Sequence, residues 1–282
     1  IPFIYEFTRD FKKNKNISLL KSKKLKLKIE NNTTKVDGTI NGLNELSILN
    51  LKLNSNYQLD NNVFSFKSKS QELTNDTYKY DGKLNLKPSN LILNVDFEDI
   101  KIKKLLDIDS IFFEFFKSGQ FLDNNISANI NLTSLNILDN KFFDSFKIIY
   151  NQKNGIVNID TSEILSKKIG LLKLSNTKIF YLNDSLLFNG DFILKVKNYS
   201  KFYTFFQSPK NVRKPIEEIF FNIQYNISNN QLTINSLKID NKKVDGANIT
   251  SLSNINDKQD LEIVNFIEFK KLLNKAFANY DG

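Results

Sequence analysis

The sequence predicts a mainly β protein: a long antiparallel meander sheet forming a curved groove or a sandwich, with three to four short Phe-rich helices. About a dozen segments alternate apolar and polar residues with a period of two, the pattern of strands with one buried face. Asparagine-rich turns separate these segments, and Asn tolerates the positive φ that hairpin turns need. The chain of 282 residues contains no cysteine. A core must therefore hold it together, and a chain of this length can bury one.

The alternating segments run along most of the chain, and short connections between them favour antiparallel pairing. They include residues 24–29, 49–53, 91–98, 126–133, 146–150, 186–196, 219–227 and a partner strand beginning at 232. Asn pairs at 61–62, 124–125 and 229–230 mark turns. The related tetrapeptides at 35–38, 79–82 and 243–246 are interpreted as turn or bulge signals.

Four Phe-rich stretches break this pattern and are predicted to be helical. They are the first dozen residues and segments 103–117, 199–207 and 264–280, where apolar residues recur at helical spacing. The two central stretches each precede a strand, which indicates a degenerate repeat of one helix plus several strands. No linker divides residues 1–282, so we expect a single β-rich unit. Because residue 1 is Ile1 and not Met, we interpret the chain as a fragment of a longer one.

The composition excludes most enzyme chemistry. The chain has no His, Cys, Met or Trp, which removes Ser-His-Asp and Cys-His nucleophiles, zinc fingers and redox dithiols. Carboxylate pairs such as Asp96 with Glu98 fit solvated faces better than a glycosidase pair, whose members sit on separate elements. Ser-x-x-Lys at 18–21 and 175–178 is expected by chance in so lysine-rich a chain. We therefore predict no enzyme activity, no cofactor and no metal site.

The positive charge is weak evidence for a nucleic-acid partner. The chain has 40 Lys+Arg against 31 Asp+Glu, a formal charge of +9, but only Arg9 and Arg213 are arginines. About 41 asparagines accompany abundant Lys, Ile and Phe, a skew that an AT-rich genome would produce without selection on function. Nucleic-acid binding proteins favour arginine and aromatic platforms on a basic stripe, so we expect no nucleic acid as partner. No run of consecutive apolar residues approaches the length of roughly 18 to 20 residues that a membrane-spanning helix needs.

The geometry of the predicted sheet leaves two solutions open. A dozen strands about 4.8 Å apart would form an apolar face roughly 55 to 60 Å wide, and three or four helices, each about 10 Å across, cannot cover it. Either the sheet covers itself as a sandwich or barrel, or it curls into a trough filled by lipid acyl chains. The alternation is the same in both cases. By itself it favours the closed sandwich.

The stretch from Tyr199 to Asp240 places a short helix, a Pro-containing linker, a long strand, an Asn turn and a Leu-x-Ile strand in succession. This succession resembles the AsmA-like family of bacterial envelope proteins, over about residues 80 to 250. The resemblance implies a periplasm-facing β-groove that moves or buffers phospholipid-like molecules between membranes. It also implies inner-membrane attachment in the parent protein through an anchor absent from this chain. Other envelope proteins would be possible partners.

The residues that we expect to line such a groove are apolar and alternate along the predicted strands. They are Leu93, Val95, Phe97, Ile130, Leu132, Phe188, Phe192, Leu194, Phe221, Ile223 and Tyr225. The alternative hypothesis is a structural or adhesive β-sandwich domain of a surface or envelope assembly, in which the same side chains would be buried against protein. The Phe-rich helices are expected to plug the ends of the sheet.

Overall fold

A computed structural model describes residues 4–10, 15–21, 25–32, 39–48, 51–68, 78–101, 119, 122–138, 140, 142–229, 231–244, 270–271 and 273–280. Over these residues the protein is mainly β, as the sequence predicts, with 17 strands in one sheet. The strands are β1 Ile4–Asp10, β2 Lys15–Lys21, β3 Leu25–Asn32, β4 Ile40–Ile48, β5 Leu51–Asp60, β6 Val63–Ser68, β7 Tyr78–Leu86, β8 Ser89–Ile100, β9 Ile126–Ile137, β10 Ser145–Lys153, β11 Ile156–Asn158, β12 Glu163–Ser166, β13 Gly170–Leu182, β14 Ser185–Val196, β15 Glu218–Asn226, β16 Gln231–Ile239 and β17 Lys242–Lys243.

The sheet follows the order of the chain. Strands β1 to β8 pair antiparallel with their neighbours, and so do β13 to β17. Strands β11 and β12 together occupy one place between β10 and β13. Tight turns at residues of positive φ make the meander possible, Asn61 among those predicted and Asn154 and Asn183 among those not predicted.

One pairing corrects the prediction of a purely antiparallel meander. Strands β8 and β9 are parallel, in register from Ser89 with Ile126 to Ile100 with Ile137. Residues 101–125 connect them, which is long enough for the crossover that a parallel pair requires. The sheet is therefore mixed, because β9 runs in the same direction as β8.

Of the four predicted helices, one is confirmed, one is confirmed over part of its length, one lies outside the described residues and one is wrong. Segment 199–207 is confirmed as helix α1, Tyr199–Phe205, followed by the 3-10 helix Lys210–Val212. In the fourth stretch, residues 270–271 and 273–278 are helical and form the C-terminal helical segment, whereas 264–269 lie outside the described residues. The prediction for 103–117 also lies outside them. The prediction for the first dozen residues is wrong, because seven of them form strand β1 along β2. The described part therefore does not reach the three to four Phe-rich helices expected.

The tetrapeptide interpretation is also wrong where it can be checked. Residues 79–82 lie inside β7, between Tyr78 and Leu86, and not in a turn. Gly82 pairs there with Phe66 of β6, and an added Cβ would lie only 2.5 Å from the Phe66 ring. The same Cβ would lie 2.6 Å from the backbone oxygen of Ile92 on β8, so the ring and the neighbouring strand together favour glycine here. The copy at 35–38 and the end of the copy at 243–246 lie outside the described residues.

Alternate apolar side chains of β8 to β10 and β12 to β15 share one face, which we call the inner face. Direct pairing joins Val95, Leu132 and Ile148 in one row across β8 to β10. A second row runs through Ile164, Leu172, Leu194 and Ile219 across β12 to β15. Two buried clusters lie on this face. The first packs α1 and the C-terminal helical segment against β14 to β16, and the second lies at the opposite end of the same strands, around Leu186 and Phe188.

The opposite, outer face carries hydrogen-bonded polar side chains, which explain part of the asparagine content, together with exposed apolar ones such as Ile92 and Leu135. Asp191 on β14 accepts hydrogen bonds from the amides of Asn176 (2.8 Å) and Asn222 (2.6 Å) on the flanking strands. The oxygen of Asn222 accepts in turn from Asn235 on β16, at 2.9 Å. These cross-strand pairs extend the backbone ladder with side-chain bonds. They satisfy the polar groups of Asp191, which is only 9% exposed.

Candidate functional site

The pairing registers place all eleven predicted lining residues on the inner face. On the parallel pair, Leu93 lies beside Ile130 and Val95 beside Leu132, with Phe97 further along β8. On β14 and β15, Phe188 lies beside Tyr225 and Phe192 beside Phe221, with Leu194 and Ile223 on the same face. The period of two along each strand suffices for this result, because successive side chains alternate between the two faces of a sheet.

Six aromatic rings continue the inner face across β5 to β8. Neighbouring ring centroids are 5.2 to 6.3 Å apart along the series, the range of favourable aromatic pairs. The series is Tyr57, Phe64, Phe66, Tyr80, Tyr78 and Phe97. Only Phe97 of these was among the predicted lining residues, although Tyr78 and Tyr80 alternate just as clearly in the sequence.

The inner face is only half-buried over β8 to β10. Leu93, Val95 and Phe97 are all of intermediate exposure, and so are Ile130 and Leu132. The neighbouring apolar side chains of β10, from Phe146 to Tyr150, show the same intermediate exposure. This central part of the sheet therefore presents apolar side chains that remain partly accessible.

Towards β12 to β16 the inner face becomes the floor of a cavity of about 430 Å³. This volume is within the range of about 300 to 1,000 Å³ that is typical of sites for small molecules. Four of the predicted residues, Phe192, Leu194, Phe221 and Ile223, form part of its wall. The other lining residues are Phe142, Phe143, Ile164, Ser166, Ile169, Gly170, Leu172, Phe202, Phe205, Phe206, Leu232 and Leu273. The wall is almost wholly apolar.

Helix α1 forms the roof of this cavity. The helix begins at Asn198, whose side-chain oxygen accepts a hydrogen bond of 2.9 Å from the Lys201 N–H. Phe202 is 1% exposed, and its ring lies 5.7 Å from that of Phe277 in the C-terminal helical segment. On the other side, Phe205 contacts Phe142 of the β9–β10 loop with ring centroids 4.0 Å apart. The roof thus spans from β15 back to β10.

The C-terminal helical segment is fastened to the sheet by Asp240, just after β16. One carboxylate oxygen accepts from the N–H groups of Glu217 (2.9 Å) and Glu218 (2.8 Å), and the other accepts from the Tyr280 hydroxyl at 2.6 Å. Burial raises the pKa of Asp240, but these hydrogen bonds and the charge of Lys242 outweigh it, so the pKa lies below 3.8. The hydrogen bond to Asp240 raises the pKa of Tyr280 to about 12.

Seven of the eleven predicted lining residues lie outside the cavity: the five on β8 and β9, and Phe188 and Tyr225 on β14 and β15. Phe188 and Tyr225 belong to the second cluster, with Leu122, Val157 and Leu186, and this cluster closes the far end of the strands. Nearby, burial raises the pKa of Tyr150 to about 12, and its hydroxyl donates to Gln152 at 2.7 Å. Phe192 contacts both clusters. It therefore marks the inner limit of the cavity.

The residues missed by sequence reasoning come from the roof and from short strands. The predicted helices at 199–207 and 264–280 already contained Phe202, Phe205 and Leu273, so their apolar faces were a usable signal. Phe142 and Phe143 lie in a loop without periodicity. Their position over the cavity depends on the pairing of β9 with β10, which no local pattern reports.

The described residues show no other chemistry at this site. They contain no group of three acidic, His or Cys side chains able to hold a metal ion. Within the same residues, no helix has the length and hydropathy needed to cross a bilayer. No protein-family model matches the chain, and no curated protein matches it.

Proposed function

We propose that this protein is a non-enzymatic cell-envelope protein whose inner face binds acyl chains of phospholipid-like molecules and conducts them between membranes. The observation that supports this most directly is the continuity of the half-buried inner face of β8 to β10 with the apolar cavity under α1. Envelope location, an anchor in the parent protein and transfer between membranes rest on the AsmA-like resemblance of residues 199–240.

The burial pattern supports a groove that is open in the middle and roofed at one end. A tightly packed sandwich would bury inward side chains such as Val95 and Leu132 as fully as Ile219 and Ile234, which are 0% exposed. An acyl chain lying along the half-buried part would remove that surface from water. Each methylene buried contributes about 0.8 kcal/mol, so six of them contribute about 5 kcal/mol without any catalytic group.

The experiment measures binding of a fluorescent fatty acid in buffer free of vesicles. Leu172→Phe and Leu194→Phe enlarge two cavity-lining side chains and should weaken binding at least tenfold. Leu135→Phe makes the same chemical change on the outer face, where Leu135 is 69% exposed, and should leave binding unchanged. Thermal unfolding of all three variants checks that the fold persists. Equal affinity in all three would contradict binding in the cavity.

A second experiment addresses the open part of the groove. Val95→Asp places a carboxylate on the inner face of β8, whereas Ile92→Asp places one on the outer face of the same strand, where Ile92 is 40% exposed. We expect only Val95→Asp to reduce the lipid that co-purifies after mild extraction, measured by native mass spectrometry. A wild-type protein without co-purifying lipid and without stabilisation by added lipid would refute the proposal.

The structural or adhesive alternative has one observation in its favour, the two clusters of buried apolar residues at the ends of β13 to β16. Phe192→Asp separates the two functions because Phe192 packs on both clusters and also lines the cavity. A purely structural domain should unfold with this substitution. A lipid-binding groove should keep its circular dichroism spectrum and lose affinity for the fatty acid.

A further inference from the structure

The excess positive charge of the chain is concentrated at one end of the sheet. Residues 167–168, 195–218, 238–243, 270–271 and 273–275, here called the basic end, contain 14 Lys/Arg and three Asp/Glu. The whole chain has 40 and 31, which leaves 26 basic and 28 acidic residues elsewhere. These segments together carry a formal charge of +11, whereas all other residues of the sequence together carry −2.

The sheet register brings these separate segments together. The β12–β13 turn carries Lys167 and Lys168 beside the end of β14, because Gly170 pairs with Val196. The start of β15 and the end of β16 lie at the same end, since Lys195 pairs with Glu218 and Ile219 with Ile239. Eleven lysines here are exposed: 167, 168, 195, 197, 201, 210, 238, 242, 243, 271 and 275.

Exposed apolar side chains lie at the same end, beside the lysines. Leu138 is 52% exposed, Tyr199 42%, Phe142 39% and Phe143 37%. The β9–β10 loop that carries three of them is attached to the basic end, because Asp144 accepts a hydrogen bond of 2.7 Å from the Lys167 N–H. Phe142 and Phe143 also line the cavity. The cavity therefore adjoins an end of the sheet that carries both exposed lysines and exposed apolar side chains.

From this combination we infer that the basic end docks on the surface of an anionic lipid bilayer. Lysines attract acidic headgroups, at about fivefold in affinity for each one near the surface, while amphipathic and apolar side chains enter the boundary between headgroups and acyl chains. A nucleic-acid surface fits less well, since Arg213 is the one arginine among the basic-end residues. The inference extends the proposed function by naming the surface from which acyl chains would reach the cavity.

The experiment is co-sedimentation of the full chain with phosphatidylcholine vesicles that contain either no anionic lipid or about 30 mol% phosphatidylglycerol. We expect binding to the anionic vesicles only. Binding should fall at least tenfold between about 0.1 and 1 M salt, because the Debye length shrinks from about 10 to 3 Å. Equal binding to both vesicles, or none to either, would overturn the inference.

Two sets of variants locate the surface. A basic-end glutamate variant that combines Lys167→Glu, Lys168→Glu, Lys197→Glu and Lys243→Glu should bind the anionic vesicles at least a hundredfold more weakly. The changes Lys67→Glu, Lys79→Glu, Lys83→Glu and Lys153→Glu affect lysines that are exposed elsewhere on the sheet and should weaken binding less than fivefold. Equal losses in the two sets would show a nonspecific charge effect and overturn the assignment. A Leu138→Ser, Tyr199→Ser variant should lose vesicle binding while keeping its melting temperature.

The fatty-acid assay in vesicle-free buffer separates this inference from the proposed function. The basic-end glutamate variant should keep wild-type affinity for the fatty acid, since none of its four changed residues lines the cavity. If the wild type binds vesicles but not the fatty acid, the docking surface stands and the groove proposal fails. If the wild type binds the fatty acid but not the vesicles, the groove proposal stands and the docking inference fails. Tight binding of duplex DNA or RNA that competes with vesicles would also overturn the inference.

Discussion

The hydrogen bond between Tyr280 and Asp240 attaches the C-terminal helical segment to the sheet. Its contribution to the free energy of unfolding can be predicted and measured. Tyr280→Phe removes one hydroxyl and little volume from a side chain that is 5% exposed. It deletes the 2.6 Å hydrogen bond to the Asp240 carboxylate. Hydrogen bonds to charged groups contribute about 1.5 to 3 kcal/mol, so we expect a loss of about 2 kcal/mol in the free energy of unfolding. Asp240→Ala should cost more, since it also removes the acceptor of two backbone N–H groups.

The assay is urea and thermal unfolding of the wild type, both single variants and the double variant. A loss of about 2 kcal/mol corresponds to a melting temperature lower by about 4 to 8 °C. The double-mutant cycle should give a coupling energy above about 1 kcal/mol, because the two side chains touch. A coupling energy near zero would refute the argument that this bond holds the segment on the sheet.

The effect should also depend on pH in a defined direction. The pKa of Asp240 lies below its ordinary value of 3.8 in the folded protein. The folded state therefore binds the proton less readily than the unfolded chain, and the stabilisation is complete above about pH 4. It is lost as the pH falls through the folded pKa. The difference in stability between the wild type and Asp240→Asn should shrink in the same window.

Three further predictions concern the sheet. Gly82→Leu should destabilise by about 1 to 3 kcal/mol through overpacking, since its Cβ would meet the Phe66 ring at 2.5 Å, whereas Lys83→Leu on the outer face should have little effect in the same thermal unfolding assay. Asp191→Ala should cost about 2 to 3 kcal/mol in urea unfolding, because the Asn176 and Asn222 amides lose their acceptor; an unchanged midpoint would contradict a role for this pair of bonds. Absorbance titration at alkaline pH should show Tyr150 and Tyr280 ionising near pH 12, and Tyr150→Phe should remove part of that late transition. The free energy of unfolding should fall above about pH 10, because the tyrosines of the unfolded chain ionise at lower pH than these two in the folded protein.

Much of the sheet was predictable because strand periodicity is local. The alternation in 91–98, 126–133, 186–196 and 219–227 placed apolar residues on one face, and the registers of β8, β9, β14 and β15 agree with it. Helix α1 was predictable for the same reason, since the apolar spacing of 199–207 and its start after Asn198 lie within one short stretch.

The errors arose where a distant partner decides the local structure. The first dozen residues resemble the Phe-rich helices in composition, but Tyr5 and Phe7 pair with Leu20 and Ser18 of β2 and become part of a strand. The parallel pairing of β8 with β9 joins residues far apart in the chain, such as Ser89 and Ile126. Neither outcome follows from the residue pattern of the segment itself.

The sequence by itself determined that the chain forms a mainly β sheet with one apolar face, because side-chain direction in a strand repeats every two residues whatever the neighbours are. Only the tertiary structure decided that Phe142 and Phe143 meet Phe205 over a cavity, and that lysines from distant segments share one end of the sheet. The reason is that strand order and register bring together residues far apart in the chain, and local periodicity contains no information about which strands become neighbours.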